Sequence, residues 1–221
     1  DFTASGVYDF TITGNTIESD TDNLAGTIER GDKAEGIKFT INEGVQNGTT
    51  NLTAVIENND IQTRIGDGSE FAVNELAADG VVFDANITIN NNRIVQTNDN
   101  PVGSENKDPR DLIKATFGED GEGSITTGTF TITNNTVTSA AGAGDAFNYE
   151  SLSTSTSNIF KFKLEGNNFT AADDKDLKII VPTGYLSISA PDGTTNFDAY
   201  LDSVNTDAET EISGSPEVFR F

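Results

Sequence analysis

The chain has 221 residues, of which 34% are apolar, and its 36 acidic and 13 basic residues give a formal net charge of −23. Such a surface would repel phosphate backbones and anionic lipids, and no stretch approaches the roughly 20 apolar residues of a membrane helix, so we expect neither nucleic acid binding nor membrane insertion. The chain contains no His and no Cys, which excludes imidazole ligands, disulfides and thiol chemistry.

One short pattern recurs five times along the chain: apolar, x, apolar, x, turn residue, Asn, x, apolar. The alternation is typical of a strand with one buried face. The two turn residues interrupt it, so a second short strand is predicted to start at an angle to the first. The copies are FTITGNTI (10–17), AVIENNDI (54–61), ITINNNRI (87–94), FTITNNTV (130–137) and FKLEGNNF (162–169).

A second, weaker pattern predicts one more strand in each period. A helix is an alternative prediction in two regions. Residues 108–118 match the pattern of a short helix, although their alternation favours a strand at 112–117, and residues 69–80 could hold one helical turn in a loop. The segments of the second pattern are GIKFTI (36–41), GVVFDA (80–85), LIKATF (112–117), AFNYES (146–151) and KIIVPT (178–183).

The aligned asparagines of the first pattern are separated by 44, 33, 43 and 32 residues. Periods of this length indicate a solenoid or a propeller, and the four-stranded blades and WD-type signatures of propellers are absent. The remaining architecture is a coil in which each strand stacks in parallel on its equivalent in the next turn, about 4.8 Å away. We therefore predict an all-β protein, a parallel β-helix, and read residues 1–221 as a single domain.

The recurring x-I-x-N-N-x-I pattern resembles the parallel β-helix repeat of the pectin-lyase-like superfamily, over residues 6 to about 190. The resemblance implies a right-handed coil of about six irregular turns with long loops. Members of that superfamily are mostly secreted or surface-bound, which implies an extracellular or cell-surface location.

The repeated asparagines are predicted to form a structural ladder at one corner of the coil. An Asn at the same bend of successive turns places its amide about 4.8 Å from the next, within reach of a hydrogen bond along the axis. The predicted ladder consists of Asn15, Asn59, Asn92, Asn135 and Asn167.

Sequence motifs for catalysis were tested because several enzymes with this fold cleave acidic polysaccharides. Asp173-Asp174 and Asn205-Thr206-Asp207 stand in the wrong order for a polygalacturonase-like site and lack its His, and Arg93 has no acidic cluster near it in sequence for a lyase site. We therefore expect no enzyme, no catalytic residue and no cofactor. Loop carboxylates could bind calcium, but Asp20-Thr21-Asp22, GEDGEG (118–123) and DDKD (173–176) match no established ligand loop.

Threonines on one outer face raise the alternative of ice binding. Thr11, Thr13, Thr88, Thr131 and Thr133 are predicted on that face. Val55, Glu57, Lys161 and Lys163 interrupt their rows.

Both ends of the coil are predicted to expose strands that can pair, because no cap is evident in the sequence. Pairing of the last turn of one copy with the first turn of the next would build a head-to-tail filament. We thus expect a non-catalytic extracellular filament subunit; the alternative is a segment of a cell-surface adhesin or carbohydrate-binding module. The candidate contact residues are Phe2, Tyr8, Phe10, Val218, Phe219 and Phe221.

Overall fold

The structure is a computed structural model. It describes residues 6–19, 36–41, 49–63, 69–73, 82–96, 111–117, 125–138, 145–151, 155–170, 176–181, 184–206 and 208–219.

These residues form strands and a single short helix. In chain order they are β1 (Val7–Thr13), β2 (Thr16–Ser19), β3 (Ile37–Ile41), β4 (Thr49–Glu57), β5 (Asp60–Thr63), β6 (Ser69–Val73), β7 (Val82–Asn90), β8 (Arg93–Gln96), β9 (Ile113–Phe117), β10 (Ile125–Thr133), β11 (Thr136–Thr138), β12 (Phe147–Ser151), β13 (Ile159–Glu165), β14 (Asn168–Thr170), β15 (Leu177–Ile180), β16 (Tyr185–Ser189), α1 (Phe197–Val204), β17 (Thr210–Ser213) and β18 (Glu217–Phe219).

The strands build three parallel sheets, and the chain visits the sheets in rotation. Sheet 1 has seven strands in the order β1-β4-β7-β10-β13-β16-β18, sheet 2 has five in the order β14-β11-β8-β5-β2, and sheet 3 has six in the order β17-β15-β12-β9-β6-β3. Each strand therefore lies on its equivalent one turn earlier. The predicted parallel β-helix is confirmed.

The core is a set of vertical columns inside the coil. In β4 the residues alternate between buried and half-buried positions, as expected for a strand with one face turned to a narrow interior. Strand pairing in register places equivalent inward residues directly over one another. The central column of sheet 1 contains Phe10, Ala54, Ile87, Phe130, Phe162, Ile188 and Val218.

Aromatic rings fill the later turns of this core. Phe130 and Phe162 stack with their centroids 5.0 Å apart, and the ring of Tyr149 meets both of them edge-on. Gly128 lies beside these rings at an inward position, where a Cβ atom would stand 2.5 Å from the ring of Phe130. The glycine thus makes room for the aromatic cluster.

The end of the coil formed by the last turn has a helix, which corrects the prediction that neither end is capped. Helix α1 begins after Asn196, whose side chain accepts a hydrogen bond from the main-chain N–H of Ala199. Phe197 and Leu201 are buried against the core. At its last residue, Val204, the carbonyl oxygen accepts the N–H of Gly166 at 2.8 Å, the place that the end of a sheet 1 strand takes in earlier turns.

The second sequence pattern was only partly right. The strand predicted at 112–117 rather than a helix is confirmed as β9, and 36–41 and 146–151 correspond to β3 and β12. The segment 80–85 runs into β7 of sheet 1, whereas the sheet 3 strand of that turn is β6, within the region read as a helical turn. The last segment, KIIVPT, starts too late, because Phe147 pairs with Leu177.

Candidate functional site

The corner between sheets 1 and 2 repeats one backbone geometry in every turn. The residue before each ladder asparagine has a positive φ of 53–68°, in the left-handed region. Glycine and asparagine adopt this conformation most readily, which explains the two turn residues of the sequence pattern. The left-handed residues are Gly14, Asn58, Asn91, Asn134 and Gly166.

The asparagines that follow form a continuous ladder. The side-chain oxygen of Asn59 accepts both the main-chain N–H of Asn15, at 2.9 Å, and its Nδ2, at 3.1 Å. Asn92 accepts the same two bonds from Asn59, and the pattern repeats upward through Asn135 and Asn167. The hydrogen bonds between asparagines all run in one direction, with each asparagine donating to the side-chain oxygen of the next. The predicted positions of the five asparagines are therefore found in the structure.

Each ladder asparagine above the first also holds the neighbouring strand. The Nδ2 group of Asn92 donates to the main-chain oxygen of Ile56 at 2.8 Å, and that of Asn135 donates to the oxygen of Ile89 at 2.8 Å. These asparagine side chains are only 1–4% exposed, so their polar atoms are satisfied inside the protein. The ladder thus ties sheet 1 to the corner at every level.

Asn205 is a sixth member of the ladder, and sequence reasoning missed it. Its side-chain oxygen accepts the N–H of Asn167 at 3.1 Å and the Nδ2 of Asn167 at 2.9 Å. Thr206 then pairs in parallel with Asn168, as the start of a sheet 2 strand would. The available signal was the dipeptide Asn-Thr, also present at Asn15 and Asn135, 38 residues after Asn167.

The ladder ends within the chain at Asn205. The main-chain N–H of Asn205 donates to the carbonyl oxygen of Leu201 at 3.1 Å, and its Nδ2 donates to the same oxygen at 2.9 Å. The helix carbonyl therefore occupies the place of the side-chain oxygen of a further asparagine. Helix α1 closes the ladder at this end, which we call the closed end.

The opposite end, formed by the first turn, has no such closure among the described residues. Asn15 is exposed, and none of the residues that the structure describes donates a hydrogen bond to its Oδ1 atom. The side chain of Val7 is 70% exposed. Within the described part of the chain, β1 pairs only with β4. We call this the open end.

The six predicted contact residues differ in burial, and two of them lie outside the described residues. Tyr8 and Phe10 point inward from β1 and are half-buried against the core, and Val218 is half-buried in β18. Phe219 belongs to the backbone of β18. Phe2 and Phe221 lie outside the described residues.

Both ends carry exposed acidic side chains. Asp9 and Glu18 are exposed in the first turn, and Glu211 and Glu217 are exposed in the last strands. In the register of sheet 1, Asp9 and Glu217 belong to the same outward column, since each step of that column is a paired position. A direct stack of two copies would therefore bring these carboxylates together.

The outer face of sheet 1 contains the threonines considered for ice binding. One outward column runs Thr11, Val55, Thr88, Thr131 and Lys163, and the next runs Thr13, Glu57, Asn90, Thr133 and Glu165. The threonines lie on one face as predicted. Val55, Glu57 and Lys163 interrupt these two columns, and Lys161 lies in the neighbouring column, where it pairs with Thr129. Thr133 also donates to the side-chain oxygen of Asn90 at 2.9 Å, so part of this face is bonded to itself.

Of the residues considered for catalysis, the structure describes Arg93, Asn205 and Thr206. Arg93 forms an exposed ion pair with Asp60, with a separation of 2.6 Å. Asn205 belongs to the ladder and Thr206 forms an isolated bridge with Asn168, while Asp173, Asp174 and Asp207 lie outside the described residues.

The predicted calcium loops cannot be placed. Residues 20–22, 118–123 and 173–175 lie outside the described part of the chain. Within that part, no group of three acidic side chains could hold a metal ion. Nor does any described helix have the length and apolar character to cross a bilayer.

A shallow cleft of about 410 Å³ lies beside the start of helix α1, between Phe197, Ile212 and Pro216. It holds the carboxylate of Asp198. Burial, followed by the charges of Asp202 and Glu211, raises the pKa of Asp198 above its ordinary value. Its lining combines the carboxylate of Asp198 with the hydroxyl of Thr195 and the amide of Asn196.

No protein-family model, no curated protein and no solved structure matches this chain. The resemblance to the pectin-lyase-like superfamily thus stays a prediction from the repeat.

Proposed function

We propose that this chain is a non-catalytic structural module of an extracellular rod, a segment of a cell-surface adhesin whose coils continue from the open end. One observation carries the proposal: the asparagine ladder is terminated by the Leu201 carbonyl at one end, while the Oδ1 acceptor of Asn15 is exposed at the other. A module at the end of a rod needs one end that terminates the ladder and one end that can accept a further coil.

The construction of the coil suits a mechanical role. Seven stacked strands in sheet 1 give a column roughly 30 Å long at the usual strand spacing. Each interior level is fixed by main-chain pairing, by inward apolar residues and by a buried ladder asparagine. Loops emerge from such a column without disturbing it, and cell-surface carbohydrate is the alternative partner that they or the outer faces would contact.

The composition supports a passive role and an exposed location. A chain without His or Cys has no imidazole to act as a general base and no thiol to act as a nucleophile, and the charge of Arg93 is paired with Asp60. The high negative charge favours solubility in a salty medium that screens self-repulsion.

A head-to-tail filament is the second candidate. It is supported by the edges of β17 and β18 at the closed end, which have no further partner among the described strands. Either β17 could pair with β3 of another copy, or β18 could pair with β1. These strands are short, four and three residues, and acidic, which are features that protect an edge from pairing. The filament therefore has less support than the rod segment.

Electron microscopy of the purified chain at low salt, at high salt and with calcium separates these candidates. We expect separate short particles under all three conditions. Fibres would support the filament and contradict the rod segment. In parallel, incubation with acidic polysaccharides and calcium should yield no cleavage products; unsaturated or reducing-end products would overturn the non-catalytic proposal.

A further inference from the structure

The exposed asparagine at the open end identifies what can stack there. Every interior ladder oxygen accepts two hydrogen bonds from the asparagine of the preceding turn, one from the main-chain N–H and one from Nδ2. Asn15 offers an oxygen in the same position, and none of the described residues donates to it. The open end therefore has the acceptor half of a ladder contact.

A second copy of this chain cannot supply the donor half with its own closed end. The donor would have to be Asn205, the last asparagine of the ladder. Its main-chain N–H and its Nδ2 are already bonded to the oxygen of Leu201, and its Nδ2 also contacts the oxygen of Leu164 at 3.2 Å. Stacking of two copies would require the C-terminal turn of helix α1 to open.

Charge and strand length oppose the other possible contact, in which β18, one level beyond Asn205, pairs with β1 of a second copy. A second copy would place Glu217 next to Asp9 in the outward column of sheet 1. Like charges directly opposite on neighbouring strands are destabilising. The contact would also join β18, with three residues, to β1, with seven, and leave most of the edge of β1 unpaired.

We infer that the open end is built to receive a preceding β-helix coil of the same rod, with its own corner asparagine and without acidic residues over Asp9 and Glu18. This inference rests on the proposed rod segment and specifies its partner. The coil would place an apolar residue over Ile12 of sheet 1, which is half-buried in the structure. Its asparagine would donate its N–H and Nδ2 to Asn15 Oδ1.

The chain itself contains a coil that meets these requirements. Thr49 pairs with Val82, its equivalent in the next turn, so a copy of the sequence 49–81 spans one period of the coil. Asn51 pairs with Val7, which makes Ser5 the sequence equivalent of Thr49. A copy of 49–81 inserted directly before Ser5 therefore preserves the register between turns. The copy would set neutral Thr53 over Asp9 and neutral Gln62 over Glu18, as β4 and β5 do in the native pairing.

The experiment compares the thermal unfolding of the full chain with that of the full chain extended by this copy. We expect the midpoint to rise by about 2–4 °C or more, since each kcal/mol gained shifts a protein of this size by about that amount. Replacing the copied Asn59 by Ala should remove much of the rise. The same copy attached after Phe221 is the matched control and should give no rise.

A double-mutant cycle tests the ladder contact itself. Asn15→Ala should lower the midpoint little in the native chain but by about 2–4 °C more in the extended chain, because only there does the asparagine accept two buried hydrogen bonds. Asn135→Ala lies far from the junction and should cost the same in both chains. This readout separates loss of the contact from a general loss of folding.

Four outcomes would overturn the inference. The extended chain could unfold at the same midpoint as the native chain, or lose nothing when the copied Asn59 is replaced. Amide exchange could show that β1 is already protected along its outer edge in the native chain, which would mean that the chain covers its own open end. End-to-end polymers of the native chain at low salt would mean that the occupant is a second copy. Cleavage of polysaccharide would overturn the proposed function and leave this stacking result intact.

Discussion

The two ends of this β-helix are built from the same repeat, and they finish it differently. At the closed end, a helix carbonyl takes the place of the next asparagine, and the last strands have four and three residues. At the open end, a seven-residue strand and an exposed asparagine present the same groups that are buried at every level between. The difference indicates that local sequence determines whether an end of the solenoid is closed, since one inserted helix is enough to terminate the ladder.

The largest expected effect comes from removing a ladder asparagine between the two ends. In Asn92→Ala, the main-chain and side-chain donors of Asn59 lose their acceptor, and the oxygen of Ile56 loses a donor. Buried polar groups left without partners cost about 1–3 kcal/mol each, so we expect the free energy of unfolding to fall by about 3 kcal/mol or more.

The matched control is Asn15→Ala, which removes the exposed first member of the same ladder. Water can replace its lost hydrogen bonds, and we expect a change below about 1 kcal/mol. Urea denaturation of both variants provides the measurement. Equal losses in the two variants would contradict the distinction between a buried ladder and an open end.

An intermediate effect is expected from weakening the helix that closes the ladder. Leu201 is fully buried, and Leu201→Ala should lower the free energy of unfolding by about 2–5 kcal/mol. Amide exchange should also become faster in α1 and at Asn205. The control Ala199→Gly changes an exposed helix position and should cost only about 1 kcal/mol.

The Leu201 variant also sharpens the comparison of the ends. If the loosened helix frees the amide of Asn205, end-to-end association should appear in sedimentation experiments at high salt, where the acidic ends are screened. The native chain under the same conditions should sediment as a monomer. Association of both proteins to the same extent would contradict the role assigned to the helix.

The smallest effect concerns the pH dependence of the closed end. The folded state raises the pKa of Asp198, chiefly through burial, so between the ordinary and the raised pKa the folded chain binds more protons than the unfolded chain. The contribution of this group to stability therefore increases as the pH falls through the raised pKa, and levels off below the ordinary value.

Asp198→Asn should be more stable than the native chain at pH 7, and the advantage should shrink as the pH approaches 4. Thermal midpoints across that range measure the difference. Thr195→Ser, at an exposed site before the helix, changes no titratable group and is the control. A native-minus-variant difference independent of pH would mean that the carboxylate of Asp198 is not disfavoured in the fold.

Much of this architecture could be predicted from the sequence because the corner is a local structure. A left-handed residue, an asparagine and alternating apolar residues are all encoded within eight positions, and they recur in register. The place of Asn205 in the ladder was not predicted, because helix α1 precedes it where an alternating strand precedes the other ladder asparagines. Strand β6 was not predicted, because SEFAV is followed by residues that favour a helix. Its conformation is instead stabilised by parallel pairing with β3 and β9 in the neighbouring turns, which local propensity does not report.

The left-handed residue and the asparagine also have a practical consequence for how such a chain can change. Successive corners are separated by 32 to 44 residues, yet all of them stack at the same height interval. The vertical position of a turn is thus set at its corner and does not depend on how much chain lies between corners. Foreign segments inserted between β5 and β6, or between β8 and β9, should therefore project from the side of the coil and leave the stacking of the turns unchanged. The fold is thus suited to the display of inserted peptides.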